Sequence, residues 1–312
     1  MPDVDVVTGA YSYSGRFITR RLLASGRDVR TLTNHPHPTD PHAKQIPAYP
    51  LDFDDQNALT AALMGADTLY NTYWVRAPRD GLSHEGAVEN SRRLIHAAVE
   101  AGVRRIVHTS IANPTASART YYRGKAAVEA IVKECGLSYA IVRPTLIFGE
   151  GDVLINNIAW LMRHLPVFGI PGNGRYRLQP VHVQDHARIM VEAGTDPDDL
   201  VLDSAGPETY SFEELVKLLK RVMGLRTVVV RMPAAMALAA AMLAGRLAGD
   251  MLLTKDELDD LMQDILVSHE PPRGTIRLSN WLPTNKDGIG KSYASEVQRH
   301  YRPPRRRTDH AG

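Results

Sequence analysis

The chain is short of cysteine, of net charge and of long apolar runs, and each shortage removes a class of protein. A single cysteine, Cys135, among 312 residues excludes an internal disulfide framework. A reducing compartment fits that usage, and the cytoplasm is the expected location. A formal net charge of +2 is too near balance to imply a polyanionic partner, so no nucleic acid is expected. The basic run Arg305, Arg306 and Arg307 sits in a Pro-rich stretch, residues 303–312, and reads as a flexible, solvated tail. The most apolar stretch, Pro233 to Leu247, contains Arg246 and falls short of the roughly 20 residues that span a bilayer. It reads as a buried Ala/Leu/Met helix, and membrane contact is not expected. No basic segment followed by an apolar one precedes the first strand, so no secretory signal is expected. His35, His37 and His42 are separated by prolines and lack a neighbouring Cys or acid, which makes them a loop run and leaves no metal site expected.

What is present is 44% hydrophobic and 23% charged, enough to bury a large core. Asp5 to Thr8 reads as a buried strand, and Gly15 to Ser25 as a helix through Phe17, Ile18, Leu22 and Leu23. The alternation continues with strands at Asp28–Thr33, Tyr49–Asp52, Thr68–Asn71, Arg105–Thr109 and Ser138–Arg143. Helices fall between them at Asn57–Met64, Glu85–Ala101 and Tyr121–Glu134. Repeated strand and helix steps of this kind predict an α/β fold of the Rossmann type, a doubly wound parallel sheet covered on both faces. Beyond Gly149 the order is irregular: a helix at Asn156–Arg163, a stretch at Gln179–Val183, a helix at Asp185–Ala193, a strand at Leu200–Asp203, a helix at Phe212–Met223 and a strand at Thr227–Arg231. We expect residues 1–150 with 176–196 to form a nucleotide-binding domain. Residues 151–175 with 197–302 are expected to form a smaller interleaved cap over the carboxyl ends of the strands.

The segment Thr8-Gly9-Ala-Tyr-Ser12-Tyr-Ser-Gly15-Arg16 joins the first strand to the first helix. A turn there offers unpaired N–H groups and the positive end of a helix dipole, which suits a diphosphate. Gly9 permits the tight turn and Gly15 a close helix packing, while Ser12 stands where the usual fingerprint has its middle glycine.

This turn is followed in order by Asp52, by Tyr121-Tyr-Arg-Gly-Lys125, by Arg143-Pro144-Thr145 with Gly149, and by His182-Val-Gln-Asp185. As an ordered set, covering the chain to about Met223, these landmarks resemble the extended or atypical short-chain dehydrogenase/reductase superfamily. Its branches include the NAD-dependent epimerase/dehydratase family, NmrA-like redox sensors and the nucleotide-binding accessory subunit of respiratory complex I. The resemblance implies a nicotinamide dinucleotide held by Gly9, Tyr11, Ser12, Tyr13, Gly15 and Arg16, by Asn34 and His35, by Asp52 and Phe53 at the adenine, and by Asn71, Thr72, Lys125, Pro144 and Thr145. Asn90 resembles the family's asparagine on the helix before the fifth strand.

The end of the second strand reads Thr33, Asn34, His35, without the acid that binds a ribose 2′-hydroxyl, and Arg16 offers a cation. NADP(H) is therefore expected ahead of NAD(H). Tyr121 and Lys125 lie four apart on one helix face, where an ammonium stabilises a phenolate and makes tyrosine useful in proton transfer. The resemblance implies Tyr121 as proton donor, Lys125 as its partner and Ser110 as orienter of the substrate oxygen. However, the usual hydroxyl position falls on Ile111, and strand alternation turns Ser110 away unless the strand end bulges. Cys135 reads as a packed small residue. The expected activity is hydride transfer between NADP(H) and a small carbonyl or hydroxyl compound. The alternative is a non-catalytic NADP(H)-binding sensor or accessory subunit of a respiratory complex, and a nucleotide-sugar epimerase or dehydratase ranks behind both.

Overall fold

The computed structural model describes residues 3–35, 41–76, 78, 81–115, 117, 119–248 and 254–295. His37, the basic tail 303–312 and the cap's expected final residues, 296–302, lie outside the described residues.

The first half alternates as the pattern predicts: β1 (Val4–Thr8), α1 (Gly15–Ala24), β2 (Asp28–Leu32), β3 (Ala48–Tyr49), α2 (Gln56–Leu63), β4 (Thr68–Asn71), α3 (His84–Glu100), β5 (Arg105–Thr109), α4 (Thr120–Glu134) and β6 (Ser138–Pro144). The second half holds β7 (Leu146–Phe148), α5 (Leu154–His164), β8 (Val167–Pro171), β9 (Arg177–Leu178), β10 (Pro180–His182), α6 (Val183–Thr195), β11 (Leu200–Ser204), β12 (Tyr210–Ser211), α7 (Phe212–Val222), β13 (Val228–Met232), α8 (Ala234–Ala248), α9 (Lys255–Leu261) and α10 (Leu278–Asn285).

Seven strands form one parallel sheet in the order β11-β6-β5-β4-β1-β2-β3. Because successive side chains point to opposite faces, the Val-rich strands bury both. Val6, Leu69, Ile106 and Ile141 pack against Leu59, Leu94 and Val128 on one side. Val7, Tyr70, Val107 and Val142 pack against Ile18, Leu22 and Met190 on the other. A third cluster, with Phe148, Ile155, Phe212, Leu215, Leu219 and Leu282, joins α5, α7 and α10. A capping box at the start of α7, Ser211 with Glu214, ties down two amides that would otherwise lack partners.

At the amino ends of the strands, Arg27 bridges Asp5 (2.7 Å) and Asp67 (2.9 Å), and Arg104 grips Asp67 from the other side at 2.7 Å. That edge is closed by ion pairs. The carboxyl edge carries the turn after β1 and is the one available to a ligand.

Three expectations are corrected. The stretch 197–302 is not all cap, because Leu200–Ser204 pairs with β6 as the edge strand of the central sheet. The third strand is shorter than Tyr49–Asp52, since after Tyr49 the chain is held by the Asn34 side chain instead of a strand ladder. The helix within 233–247 is not buried all round: among its described side chains Met236 and Met242 are 60% and 52% exposed, whereas Ala237 lies in the core. Among the described residues no helix is long and apolar enough to cross a membrane.

Candidate functional site

The turn after β1 is built as a diphosphate cradle requires. Gly9 has φ +65°, and its N–H donates to Leu32 in β2 (2.9 Å). Ser12 N–H returns to the Gly9 carbonyl (2.8 Å), and Ser12 Oγ accepts from the Gly15 amide (3.2 Å). The hydroxyl that replaces the middle glycine is thus folded onto the start of α1, where it satisfies an early helix amide. A Cβ on Gly15 would lie 2.1 Å from the Gly9 carbonyl oxygen, so this position admits glycine alone.

The neighbouring end of β4 is clasped to β1. Thr8 Oγ1 accepts from Thr72 N–H (2.7 Å), and the Thr72 hydroxyl donates to the Thr8 carbonyl (2.6 Å). Asn71 is fully buried; its Oδ1 accepts from Tyr73 N–H (3.0 Å), while its Nδ2 has no partner among the described residues. A buried donor left over beside the cradle fits a bound molecule rich in acceptors, which a dinucleotide is. The residues present therefore fit the group.

At the far end of the cradle, Asn34, Pro50, Leu51, Asp52, Phe53, Asp54 and Asn90 line a cleft of about 360 Å3. Asn34 braces it by exchanging bonds with the Leu51 backbone (2.8 and 3.0 Å). Phe53 packs on Tyr73 at 4.6 Å, and Asn90 donates to the Tyr73 hydroxyl (3.0 Å). Four of the expected residues, Asn34, Asp52, Phe53 and Asn90, meet here. Pro50, Leu51, Asp54 and Tyr73 were not foreseen, although the aromatic just past β4 was a visible signal for the last. His35 is exposed, with its N–H on Thr33 Oγ1 (3.1 Å).

Arg16 does not reach the end of β2. Its Nη2 donates to the Glu150 carbonyl (2.5 Å), and its guanidinium lies 5.0 Å from the Phe17 ring and 5.8 Å from that of Tyr13. Glu150 follows β6 and β7, and β6 stands on the opposite side of β1 from β2. In this structure the guanidinium is engaged by the Glu150 carbonyl. Tyr11 and Tyr13 are half-buried against the core on the α1 side of the sheet.

Tyr121 and Lys125 lie one turn apart on α4, and Trp74 is beside both. Lys125 is 3% exposed, its Nζ donates to the Thr109 carbonyl at the end of β5 (3.0 Å), and it lies 4.7 Å from the centre of the Trp74 ring. Burial pulls its pKa from 10.5 to about 7, with Glu129 opposing. Trp74 stacks parallel to His84 (5.9 Å, 7°) and meets the edge of Tyr121 (5.7 Å, 88°). A Cβ on Gly124 would come within 2.7 Å of the indole, so glycine there lets Trp74 lie against α4.

Ser110 is not part of this group. Its N–H continues the ladder to Val142 (2.8 Å), so the strand end does not bulge, and its 3%-exposed hydroxyl donates to Glu129 Oε1 (2.6 Å). Glu129 is in turn clamped by Arg143 at 2.9 and 2.5 Å. Pro144 and Thr145 also act as scaffold: the Pro144 carbonyl accepts from Ala112, Thr145 N–H bonds Ser204, and its hydroxyl bonds Gln179. Cys135 caps α4 half-buried, with Sγ on the Val132 carbonyl and its pKa raised by burial. Among the described residues no three His, Cys, Asp or Glu side chains are grouped to hold a metal.

Comparison with known proteins agrees with this geometry. Residues 9–154 match the family model described as NAD(P)H-binding. An uncharacterised protein of Mycobacterium tuberculosis is 30% identical over 220 residues, covering 70% of this chain; the match spans 23% of that relative's length. The ceramide reductase of Caulobacter vibrioides is 27% identical over 238 residues, 74% of each chain. The mitochondrial NADH dehydrogenase [ubiquinone] 1 alpha subcomplex subunit 9 of Arabidopsis thaliana is 24% identical over 287 residues, 85% of this chain and 71% of that one. Among solved structures, the UDP-glucose 4-epimerase of Thermotoga maritima superposes with a TM-score of 0.66 at 16% identity, over 90% of this chain and 96% of the other. Residues 9–154 thus match an NAD(P)H-binding domain, and the chain shares its fold with the epimerase.

Proposed function

We propose that the chain is an NADP(H)-dependent oxidoreductase acting on a carbonyl or hydroxyl compound, with Tyr121 exchanging the proton at the substrate oxygen. The observation that carries this reading is Lys125, buried four residues after Tyr121 with its ammonium at the carboxyl end of β5. An ammonium in that position stabilises the phenolate that Tyr121 becomes when it gives up its proton. The bound coenzyme supplies or accepts the hydride. Gly9, Ser12 and Gly15 hold its diphosphate, Asn71 offers a donor beside them, and the cleft from Asn34 to Asn90 takes the adenine. Preference for NADP(H) is supported by the absence of an acidic side chain at Thr33, Asn34 and His35. The relative named a ceramide reductase supports the oxidoreductase part of the reading. Tyr121→Phe is expected to bind NADPH as the parent does and to lose substrate-dependent oxidation of it. Unchanged turnover would remove Tyr121 from the role. Native mass spectrometry of the purified protein reads which dinucleotide it retains.

The engagement of Ser110 with Glu129 favours a second reading, a non-catalytic protein that holds NADP(H) as a sensor or, like the plant relative's name suggests for that protein, as part of a respiratory complex. Coenzyme that does not exchange and is not oxidised across a panel of carbonyls would favour it. The same engagement, with Trp74 filling the space beside Tyr121, leaves a nucleotide-sugar epimerase behind both.

A further inference from the structure

The side of the site around Tyr121 is walled by aromatic rings, and two of the described arginines on its rim, Arg76 and Arg119, are paired with acids. Trp74 touches both groups of the proposed chemistry, edge to ring with Tyr121 at 5.7 Å and face to ammonium with Lys125 at 4.7 Å. Whatever receives a proton from Tyr121 therefore has the indole as its neighbour. The ring is held in place by its stack on His84 and by the missing side chain of Gly124. His84 is fixed in turn, with Nδ1 bonded to Thr120 Oγ1 (2.9 Å) and Nε2 to the Arg76 carbonyl (3.2 Å).

Two arginines border this wall. Arg119 is the N-cap of α4, two residues before Tyr121, and Arg76 lies two residues past Trp74. Both are claimed by α9. Arg119 pairs with Asp256, with Asp259 (2.7 Å) and with Asp260 (3.0 Å), and Arg76 pairs with Glu257 (2.9 Å). The four acids of α9, Asp256, Glu257, Asp259 and Asp260, outnumber Arg76, Arg119 and Lys255 together. A phosphorylated substrate entering here would find no unclaimed cation in this set and would approach carboxylates instead.

We propose that the site selects an uncharged, apolar carbonyl or alcohol, and that Trp74 is the residue that sets this specificity. The proposal deepens the oxidoreductase reading and takes from it the assignment of the Tyr121 side as the substrate side. Binding energy comes from apolar area laid against the indole, and α9 excludes anions by occupying the arginines that would bind them.

The test is calorimetric titration of the full chain, saturated with NADP+, with two unreactive probes of equal chain length, octanamide and octyl phosphate. Octanamide is expected to bind at least about tenfold more tightly, a gap of about 1.4 kcal/mol. Trp74→Ala is expected to weaken octanamide about tenfold with NADP+ affinity held within about twofold, and Trp74→Phe, which keeps an apolar ring, to retain most of it. The double variant Asp256→Asn, Asp259→Asn leaves Arg119 paired with Asp260 alone and is expected to raise octyl phosphate affinity by about tenfold while leaving octanamide unchanged. Tighter binding of octyl phosphate by the parent, binding of neither probe, or no gain in the double variant overturns the proposal. Because binding is read without turnover, a protein that prefers octanamide but oxidises no NADPH refutes the oxidoreductase reading alone.

Discussion

The Ser110 hydroxyl donates to Glu129 Oε1 across 2.6 Å, and this bond turns the side chain along α4 and away from Tyr121. A hydrogen bond to a charged group typically contributes about 1.5–3 kcal/mol. Ser110→Ala should therefore lower stability in urea unfolding by roughly that amount. Turnover should stay within about twofold, since the hydroxyl is not offered to a substrate. A hundredfold loss of kcat with stability intact would return Ser110 to the orienting role.

Gly15 leaves no room for a side chain against the Gly9 carbonyl. Gly15→Ala should push the turn open and cost dinucleotide affinity about a hundredfold, beyond the roughly 1–3 kcal/mol of overpacking expected in stability. Isothermal titration with NADPH and NADH reads the first, and thermal unfolding the second. Retained affinity for both would show that the cradle is not where the diphosphate sits.

Lys125 makes a pH prediction with a definite sign. Burial lowers its folded pKa from 10.5 to about 7. Between those values the unfolded chain binds the extra proton, so this group makes the fold more stable as pH rises from about 7 toward 10.5. Lys125→Met should be more heat-stable than the parent near pH 7 and should lack that rise, while losing turnover. A parent and variant whose melting temperatures run parallel across the window would contradict the burial argument.

Coenzyme choice separates Arg16 from the end of β2. Because its guanidinium reaches Glu150, Arg16→Ala should change NADPH and NADH affinities alike and leave their ratio within about twofold. His35→Asp places a carboxylate at the end of β2 and should weaken NADPH by about tenfold relative to NADH. A ratio that responds to Arg16 and ignores residue 35 would reverse this assignment.

Much of the fold was legible along the chain. The bounds of β4 and β5 are those expected, Thr68–Asn71 and Arg105–Thr109, because each is a short apolar run that follows closely on a helix end, at Gly65 and at Gly102. The third strand was misjudged because Asn34, distant in sequence, replaces ladder bonds at Leu51 with side-chain ones. The α8 helix was misjudged because apolar composition marks what can be buried, whereas neighbours decide what is. In the site, the turn glycines were marked by their place between a strand and a helix, and Asn34, Asp52 and Phe53, which the resemblance named, are grouped on one cleft by the fold. Trp74 was visible as a departure from the family's turn after the fourth strand, with nothing in the sequence to say that it meets Lys125.

The chain's own pattern marked the strands, the glycine turn after β1 and the one-turn spacing of Tyr121 and Lys125, since each depends on residues a few positions apart whose geometry follows from backbone periodicity. Tertiary packing alone decided that Arg16 turns to Glu150, that Ser110 is spent on Glu129, and that Arg119 is bound by acids of α9 more than a hundred residues away. Those outcomes come from competition among charged and polar partners brought close by folding, and such competition has no signature in local sequence.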